Sequence, residues 1–274
     1  MSSRPEGDYV LGTGDEEVRR LQLQHTVWRP MMLDCWQRAG IGSGARVLDL
    51  GAGPGYAAFD LAEIVGPTGE VVALERSQHF VEVLTNRIRE RGLANIKVEQ
   101  RDLATDDLPD GPFDFAWCRW VAMFIPNRAR LISKLSAALR TGGRAMFHEY
   151  AAYATWRFSP RLPPQEEFTR KIEESWRASG GDPDVALQLP PLLGDNGFTI
   201  ESTKPLIFSL RPTDEAWQWP ATFIRSGRAR LEELGFADRE FATRLEREYA
   251  GIESNPNAIV LTPLVLEIIA EKKL

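Results

Sequence analysis

The stretch Val47-Leu48-Asp49-Leu50-Gly51-Ala52-Gly53-Pro54-Gly55-Tyr56 decides the fold. Its first four, mostly apolar residues fit a buried parallel strand, and three glycines then turn the chain into the apolar segment Ala57–Val65. Glycine lacks a Cβ, so the backbone can turn sharply there and a ligand can approach the main chain. The helix that follows presents free N–H groups and the positive end of its dipole. A strand, a glycine loop and a helix in that order make a ligand cradle without naming the ligand.

Spacing narrows the ligand. A dinucleotide fingerprint reads G-x-G-x-x-G, whereas here the third glycine comes one position early and Tyr56 occupies its place. A second strand, Glu70–Leu74, ends in Glu75, twenty positions past Gly55 (75 − 55), where an acid can accept both hydroxyls of a ribose. A third, Ile96–Gln100, is followed by Arg101-Asp102-Leu103, which places an acid to meet an adenine amino group. Such features at three successive strand ends suit a nucleoside with no pyrophosphate. A doubly wound domain that has lost its ligand is the plain structural alternative.

With these residues in view the chain resembles the class I S-adenosylmethionine-dependent methyltransferases. The resemblance is carried by Val47–Gly55, Val71–Glu75, Arg101–Leu103, Phe113–Arg119 and Leu139–Tyr150, and runs from about residue 9 to about 211. The opening Tyr9-Val10-Leu11-Gly12, with Arg20-Leu21 and Gln24, is similar to a bacterial small-molecule subgroup related to the quinone-biosynthesis methyltransferases. The resemblance implies an α/β fold: a Rossmann-like, seven-stranded, mostly parallel sheet with its last strand antiparallel and helices on both faces. N-terminal helices and a helical lid insertion would be added to it. It further implies an N-terminal helical cover over 1–40, a cofactor domain over 41–211 with 257–274, and an acceptor lid over 212–256.

Composition sets the outer bounds. A chain of 274 residues with 43% hydrophobic and 26% charged residues fits one soluble α/β domain with helical additions. A net charge of −6 gives no global basic field for a phosphate backbone, so nucleic acid is not an expected partner. No apolar run approaches the ~18 residues of a membrane span, and no signal-peptide core opens the sequence, so a cytoplasmic protein without a membrane partner is expected. Cys35 and Cys118 have neither metal-ligand spacing nor a disulfide framework.

Asp15 to Gln37 reads as helix in two pieces broken at Pro30, with Gly40 as the final cap. From 45 to 150 strands and helices alternate, as in a parallel sheet. Ser77 caps a helix ending at Gly92; Phe113–Cys118 is strand four; Pro126 opens a helix that Gly142 stops; Arg144–Tyr150 is strand five. Beyond 150, Gln165–Ala178 is a helix, Phe198–Leu210 a strand, Pro212–Ser254 two or three helices, and Ala258–Ile269 a last strand interrupted by Pro263.

The family resemblance assigns the cofactor's amino-acid end to Gly51 and Gly53, with Asp49 at its ammonium, and counts Gly55 and Arg119 among the cofactor-binding residues. Glu75 would hold the ribose, Arg76 flank the adenine, Asp102 and Leu103 read its edge, and Tyr9 and Gln24 reach the ligand from the N-terminal segment. Ligands in such sheets lie beyond the carboxyl ends of the strands, which puts Arg119, Trp120 and His148 to Tyr150 at the border. Strand four runs into Cys118-Arg119-Trp120-Val121, not the Asn/Asp-Pro-Pro-aromatic element of amino-group enzymes, and no Pro-Cys supplies a thiolate. His148 is the candidate general base, because imidazole titrates near working pH; Glu149 comes second. Neither a carboxylate cluster nor the scattered histidines suggest a metal. Trp28, Trp120, Tyr150 and Trp219 are the candidate lining of a pocket for a flat, apolar acceptor.

The resulting expectation is methyl transfer from S-adenosyl-L-methionine, leaving S-adenosyl-L-homocysteine, to oxygen or carbon of a small aromatic or natural-product-like acceptor. Nitrogen ranks behind both. A quinone-biosynthesis C-methyltransferase and a non-catalytic S-adenosylmethionine-binding regulator are the alternatives. The protein is expected as a monomer or homodimer.

Overall fold

The computed structural model describes residues 12–273. Helix α1 (Asp15–Ala39) precedes β1 (Arg46–Leu50), α2 (Tyr56–Val65), β2 (Glu70–Glu75), α3 (Gln78–Arg91), β3 (Ile96–Gln100), β4 (Phe113–Arg119), α4 (Arg128–Ala138) and β5 (Leu139–Ala152). Then come β6 (Arg157–Ser159), α5 (Pro163–Ala178), α6 (Leu189–Asp195), β7 (Phe198–Leu206), β8 (Ser209–Leu210), α7 (Gln218–Glu233), α8 (Arg239–Glu253), β9 (Ile259–Leu261) and β10 (Leu264–Lys272). Seven strands form one sheet in the order β3-β2-β1-β4-β5-β10-β7, and β6, β9 and β8 form a small second sheet. Strands β1 to β5 pair in parallel, while β10 runs antiparallel to both β5 and β7.

Alternation along the strands builds two cores. Val47 and Val71 point to one face, where they meet Leu61, Val65, Trp36 and Trp117 beneath α1 and α2. Leu48 and Val72 point to the other, against Phe113, Leu131 and Leu135 of the α4 side. Because both faces are covered, β1 and β2 read as nearly continuous apolar runs. Ser77 caps α3 by accepting from the Phe80 N–H at 3.3 Å, and Gly92 closes that helix in the left-handed region.

Three local expectations are corrected. First, α1 is a single helix of 25 residues that passes through Pro30. Proline there deprives the Thr26 carbonyl of its partner, but Pro30 is exposed and water can take the vacant acceptor. Trp28, Met32, Cys35 and Trp36, at helical spacing and all buried, hold both halves to the sheet. Second, α4 stops at Ala138, because Leu139 pairs with Phe113 and begins β5; Gly142 lies within the strand at φ 75°. Third, the two final strands are each divided. β7 ends at Leu206 and β8 joins the small sheet, while Pro263 separates β9 from β10.

Helices α7 and α8 lie between β8 and β9 in the chain; α5 packs against both, and α7 also packs against α1. These helices stand over the end of the sheet where β4 and β5 deliver Trp120 and Tyr150.

Candidate functional site

A cleft of about 770 Å³, open to solvent, runs along the carboxyl ends of β1, β2, β3 and β4. Asp49, Gly51, Gly53, Glu75, Arg76, Asp102, Leu103, Arg119 and Gln24 all line it, so the structure brings these sequence-predicted residues together. Tyr9 lies outside the described residues. Gly55 is a correction: it is the left-handed cap of α2 at φ 88° and is not part of the cleft wall. A Cβ on it would meet Leu84 Cδ1 at 2.1 Å, so this glycine makes room for α3. Gly53 differs, since the nearest atom to a Cβ there is Leu21 Cδ1 at 4.0 Å. Its side-chain direction is open.

Glu75 is engaged more deeply than a ribose contact requires. Its Oε2 accepts from the Gly53 N–H, and its Oε1 accepts from the Arg76 and Ser77 N–H groups, each at 2.8 Å. The carboxylate thus ties the glycine loop to the end of β2. Burial raises its pKa, against the lowering effect of those three donors. Asp102 is likewise part of its own turn, accepting from the Ala104 N–H at 2.9 Å.

The charged floor of the cleft is less satisfied. Asp49 is 2% exposed, its Oδ2 has no hydrogen-bond partner, and burial pushes its pKa up to about 7. Arg119 lies opposite, its pKa lowered to about 10 by removal from water and pulled back up by Asp49 and Asp60. Its side chain meets His25 Nδ1 at 3.4 Å and Met32 Sδ at 3.6 Å. His25 in turn meets Asp60 Oδ2 at 3.1 Å, and burial lowers its pKa. A neutral imidazole donating from Nε2 to Asp60 and accepting at Nδ1 from Arg119 satisfies both contacts. An orphaned carboxylate oxygen beside a buried guanidinium fits the ammonium and carboxylate of an amino-acid group.

A narrow second chamber adjoins the cleft, and Gln24, Trp120 and Phe124 belong to both walls. Tyr150 and Trp219 line it, as do Tyr153, Trp156, Trp176 and Phe223. Gln24 Oε1 accepts from Arg20 Nη1 at 3.0 Å and from Trp219 Nε1 at 3.1 Å, which joins α1 to α7 at the boundary. Trp120 has φ 52°, the sole positive φ at a non-glycine position among the described residues. A left-handed tryptophan costs on the order of 1–2 kcal/mol, so its surroundings must hold it there. Glu149 does so from below: Oε1 accepts from the Val121 and Ala122 N–H groups at 2.8 Å each, and burial raises its pKa to about 7.

Two predicted site residues are displaced from these cavities. His148 is completely buried and lines neither. Its Nε2 meets Glu267 Oε2 of β10 at 3.0 Å, and its ring packs against Trp117 at 4.8 Å. The base assignment fails because His148, the last β5 residue paired with β4, is held against Trp117 and Glu267; Tyr150, two positions on and past that pairing, departs from the strand's alternation and lines the chamber. Trp28 is also completely buried and supports the chamber from behind, edge-on to Trp120 and Trp219 at 5.1 Å each. Cys35, His148 and Glu267 form the one group of potential metal ligands among the described residues, with Glu267 also paired to Arg38.

The roles of His25, Asp60 and Glu149 escaped the reading of the sequence, in which Glu149 is only a second candidate base. Asp60 sits mid-helix with no neighbouring signal, and adjacent Glu149 and His148 cannot be assigned to opposite faces until the register of β5 is known.

Comparisons with known proteins agree with this geometry. A methyltransferase-domain family model matches residues 41–188. The demethylmenaquinone methyltransferase of Geobacillus kaustophilus is 25% identical over 202 residues, covering 68% of this chain and 83% of that one. The ubiquinone/menaquinone biosynthesis C-methyltransferase UbiE of Pseudomonas entomophila is 30% identical over 128 residues, covering 46% of this chain and 49% of the relative. The matched part thus spans about half the length of several curated relatives. Among solved structures, protein BH2331 of Bacillus halodurans superposes with a TM-score of 0.57 at 18% identity, covering 88% of this chain and 98% of that one, a likeness of fold. The cleft, the sheet order and the matched family model together place the chain in the class I S-adenosylmethionine-dependent methyltransferase family.

Proposed function

We propose that this protein transfers a methyl group from S-adenosyl-L-methionine in the glycine-loop cleft to oxygen or carbon of a small aromatic acceptor in the adjoining chamber. The observation that carries this reading is the meeting of the two cavities at Gln24, Trp120 and Phe124. When bound, the cofactor supplies an electrophilic methyl group on a sulfonium. The protein's own part is to bind, align and keep water out.

In this reading Asp49 takes the cofactor's ammonium and Arg119 its carboxylate, while Glu75, Arg76, Asp102 and Leu103 surround the adenosyl end. Glu75 also fixes the loop through its three backbone contacts. Trp120 stands between cofactor and acceptor, and its strained backbone is held by Glu149. No histidine lines the chamber wall among the described residues, so alignment of an acceptor that is already nucleophilic is favoured over base-assisted transfer. Among aromatic acceptors, a quinone-type ring is supported by the likeness to the two quinone-biosynthesis methyltransferases. Calorimetric titration tests the cofactor side. S-adenosylhomocysteine should bind stoichiometrically and NAD should not; tight NAD binding without S-adenosylhomocysteine binding would reject the proposal.

A further inference from the structure

The walls of the aromatic chamber are unequal in hydrogen-bonding character. Trp120, Trp156 and Trp176 each have a buried indole Nε1 with no partner. Indole N–H can only donate, and nearby ring faces are weak acceptors. The amide oxygen of the wall is already committed: Gln24 Oε1 receives both Arg20 Nη1 and Trp219 Nε1, which leaves the Tyr150 and Tyr153 hydroxyls as the side-chain acceptors. No carboxylate is in the described wall, and its charged residue is cationic Arg20, held by Glu17 through two contacts at 2.6 and 2.7 Å.

Ring geometry adds an independent argument. Trp219, Trp120, Tyr150 and Trp176 form a stacked row, with successive centroid separations of 6.0, 5.6 and 6.4 Å and interplanar angles of 21°, 28° and 19°. Arg119 also lies over the Trp120 ring, at 5.4 Å from its centroid. A cage for an ammonium surrounds the cation with ring faces. Within this row the faces are turned largely toward one another, which leaves its ring edges, the positive part of the aromatic quadrupole, to meet a ligand; Tyr153, Trp156 and Phe223 complete the wall with edge-on or tilted contacts.

We propose that the chamber selects a planar acceptor that presents oxygen lone pairs (carbonyl, phenolate or carboxylate) and discriminates against ammonium-bearing acceptors. This specificity rests on the methyl-transfer reading above, with the chamber as the acceptor site. Burying a cation against unpaired donors and ring edges would remove its hydration without replacing it, whereas an oxygen lone pair would satisfy donors that are otherwise orphaned.

The test uses the full chain saturated with S-adenosylhomocysteine and three probes on one ring system: 2-naphthoate, 2-acetylnaphthalene and (2-naphthylmethyl)ammonium. By calorimetry, at least one oxygen-bearing probe should bind ten-fold or more tighter than the ammonium. Trp156→Phe and Trp176→Phe, which keep a ring but lose the N–H, should each weaken that oxygen probe about 3- to 10-fold, the range for one hydrogen bond, and leave the ammonium probe within two-fold. An ammonium probe that binds as tightly as both oxygen probes overturns the proposal, as does the absence of binding by all three. If both variants hold the oxygen probe at wild-type affinity, the donor assignment is overturned. Should S-adenosylhomocysteine itself not bind, the methyl-transfer reading fails, and the same ranking on the unliganded chain still decides the specificity claim.

Discussion

Asp49→Asn should move stability and cofactor affinity in opposite directions. Asp49 is fully enclosed, one of its oxygens has no partner, and its pKa rises from the ordinary 3.8 to about 7. A carboxyl whose folded pKa lies above its unfolded value binds its proton more tightly in the native state. The unliganded protein therefore loses stability as pH rises from about 4 through 7, and the loss levels off above that window. At about 1.4 kcal/mol for each tenfold change, the full rise corresponds to on the order of 4 kcal/mol. Asparagine does not ionise, but it leaves a buried amide and deprives Arg119 of a nearby countercharge. A net gain of about 1–3 kcal/mol at pH 8 is expected, shrinking toward zero near pH 5. In calorimetry, the same variant should bind S-adenosylhomocysteine about 10- to 150-fold more weakly, equivalent to a lost charged hydrogen bond of about 1.5–3 kcal/mol. Paired melts at pH 5 and pH 8 provide the stability arm. A variant less stable than wild type at pH 8, with unchanged affinity, would refute the assignment of Asp49 as an uncompensated carboxylate awaiting an ammonium.

Other substitutions separate tethering, packing and chemistry. Glu75→Gln keeps one carbonyl oxygen but loses an acceptor among its three backbone contacts. S-adenosylhomocysteine affinity should fall by about 1.5–3 kcal/mol, with faster hydrogen exchange at Gly53; unchanged exchange would show that Glu75 does not tie the loop. His148→Ala should cost about 3–5 kcal/mol of stability by stripping buried Glu267 of a partner, while turnover falls less than tenfold with no altered limb in its pH profile. A loss of a hundredfold or more in a stably folded variant would restore the histidine as a base. Gly55→Ala, strained at φ 88° and colliding with Leu84, should destabilise by more than about 1 kcal/mol in denaturant titration; a neutral result would contradict the packing. Hydrogen exchange with and without S-adenosylhomocysteine should show protection gained in α1 and α7, which meet at Gln24, as well as in the glycine loop.

The fold was largely legible because its signals are local. Glycines after a buried strand, acids at strand ends and capped amphipathic helices each reflect nearby backbone chemistry. Errors arose where distant contacts decide. Pro30 broke a helix in the reading of the sequence, yet in the fold it lies on the exposed side of a helix that Trp28 and Trp36 anchor on either side. Leu139 continued a helical stripe, but pairing with Phe113 drew it into β5. The same distinction governs the site. Asp49, Gly53, Glu75 and Asp102 are placed by motif, whereas His148 was misplaced because the β5 register and the Glu267 partner, 119 residues away, leave no mark nearby. The role of Glu149, carrying Trp120 from below and not serving as a second candidate base, was hidden for the same reason.

The central claim is that one cavity holds the methyl donor and the adjoining one the acceptor. Incubation with S-adenosylmethionine carrying a deuterated methyl group and a panel of oxygen-bearing aromatic acceptors, read by mass spectrometry, tests it most directly. The account predicts label on oxygen or ring carbon of an acceptor, with transfer abolished when Trp120→Ala disrupts the shared wall. Label on none of the acceptors, or transfer undiminished by Trp120→Ala, would contradict it.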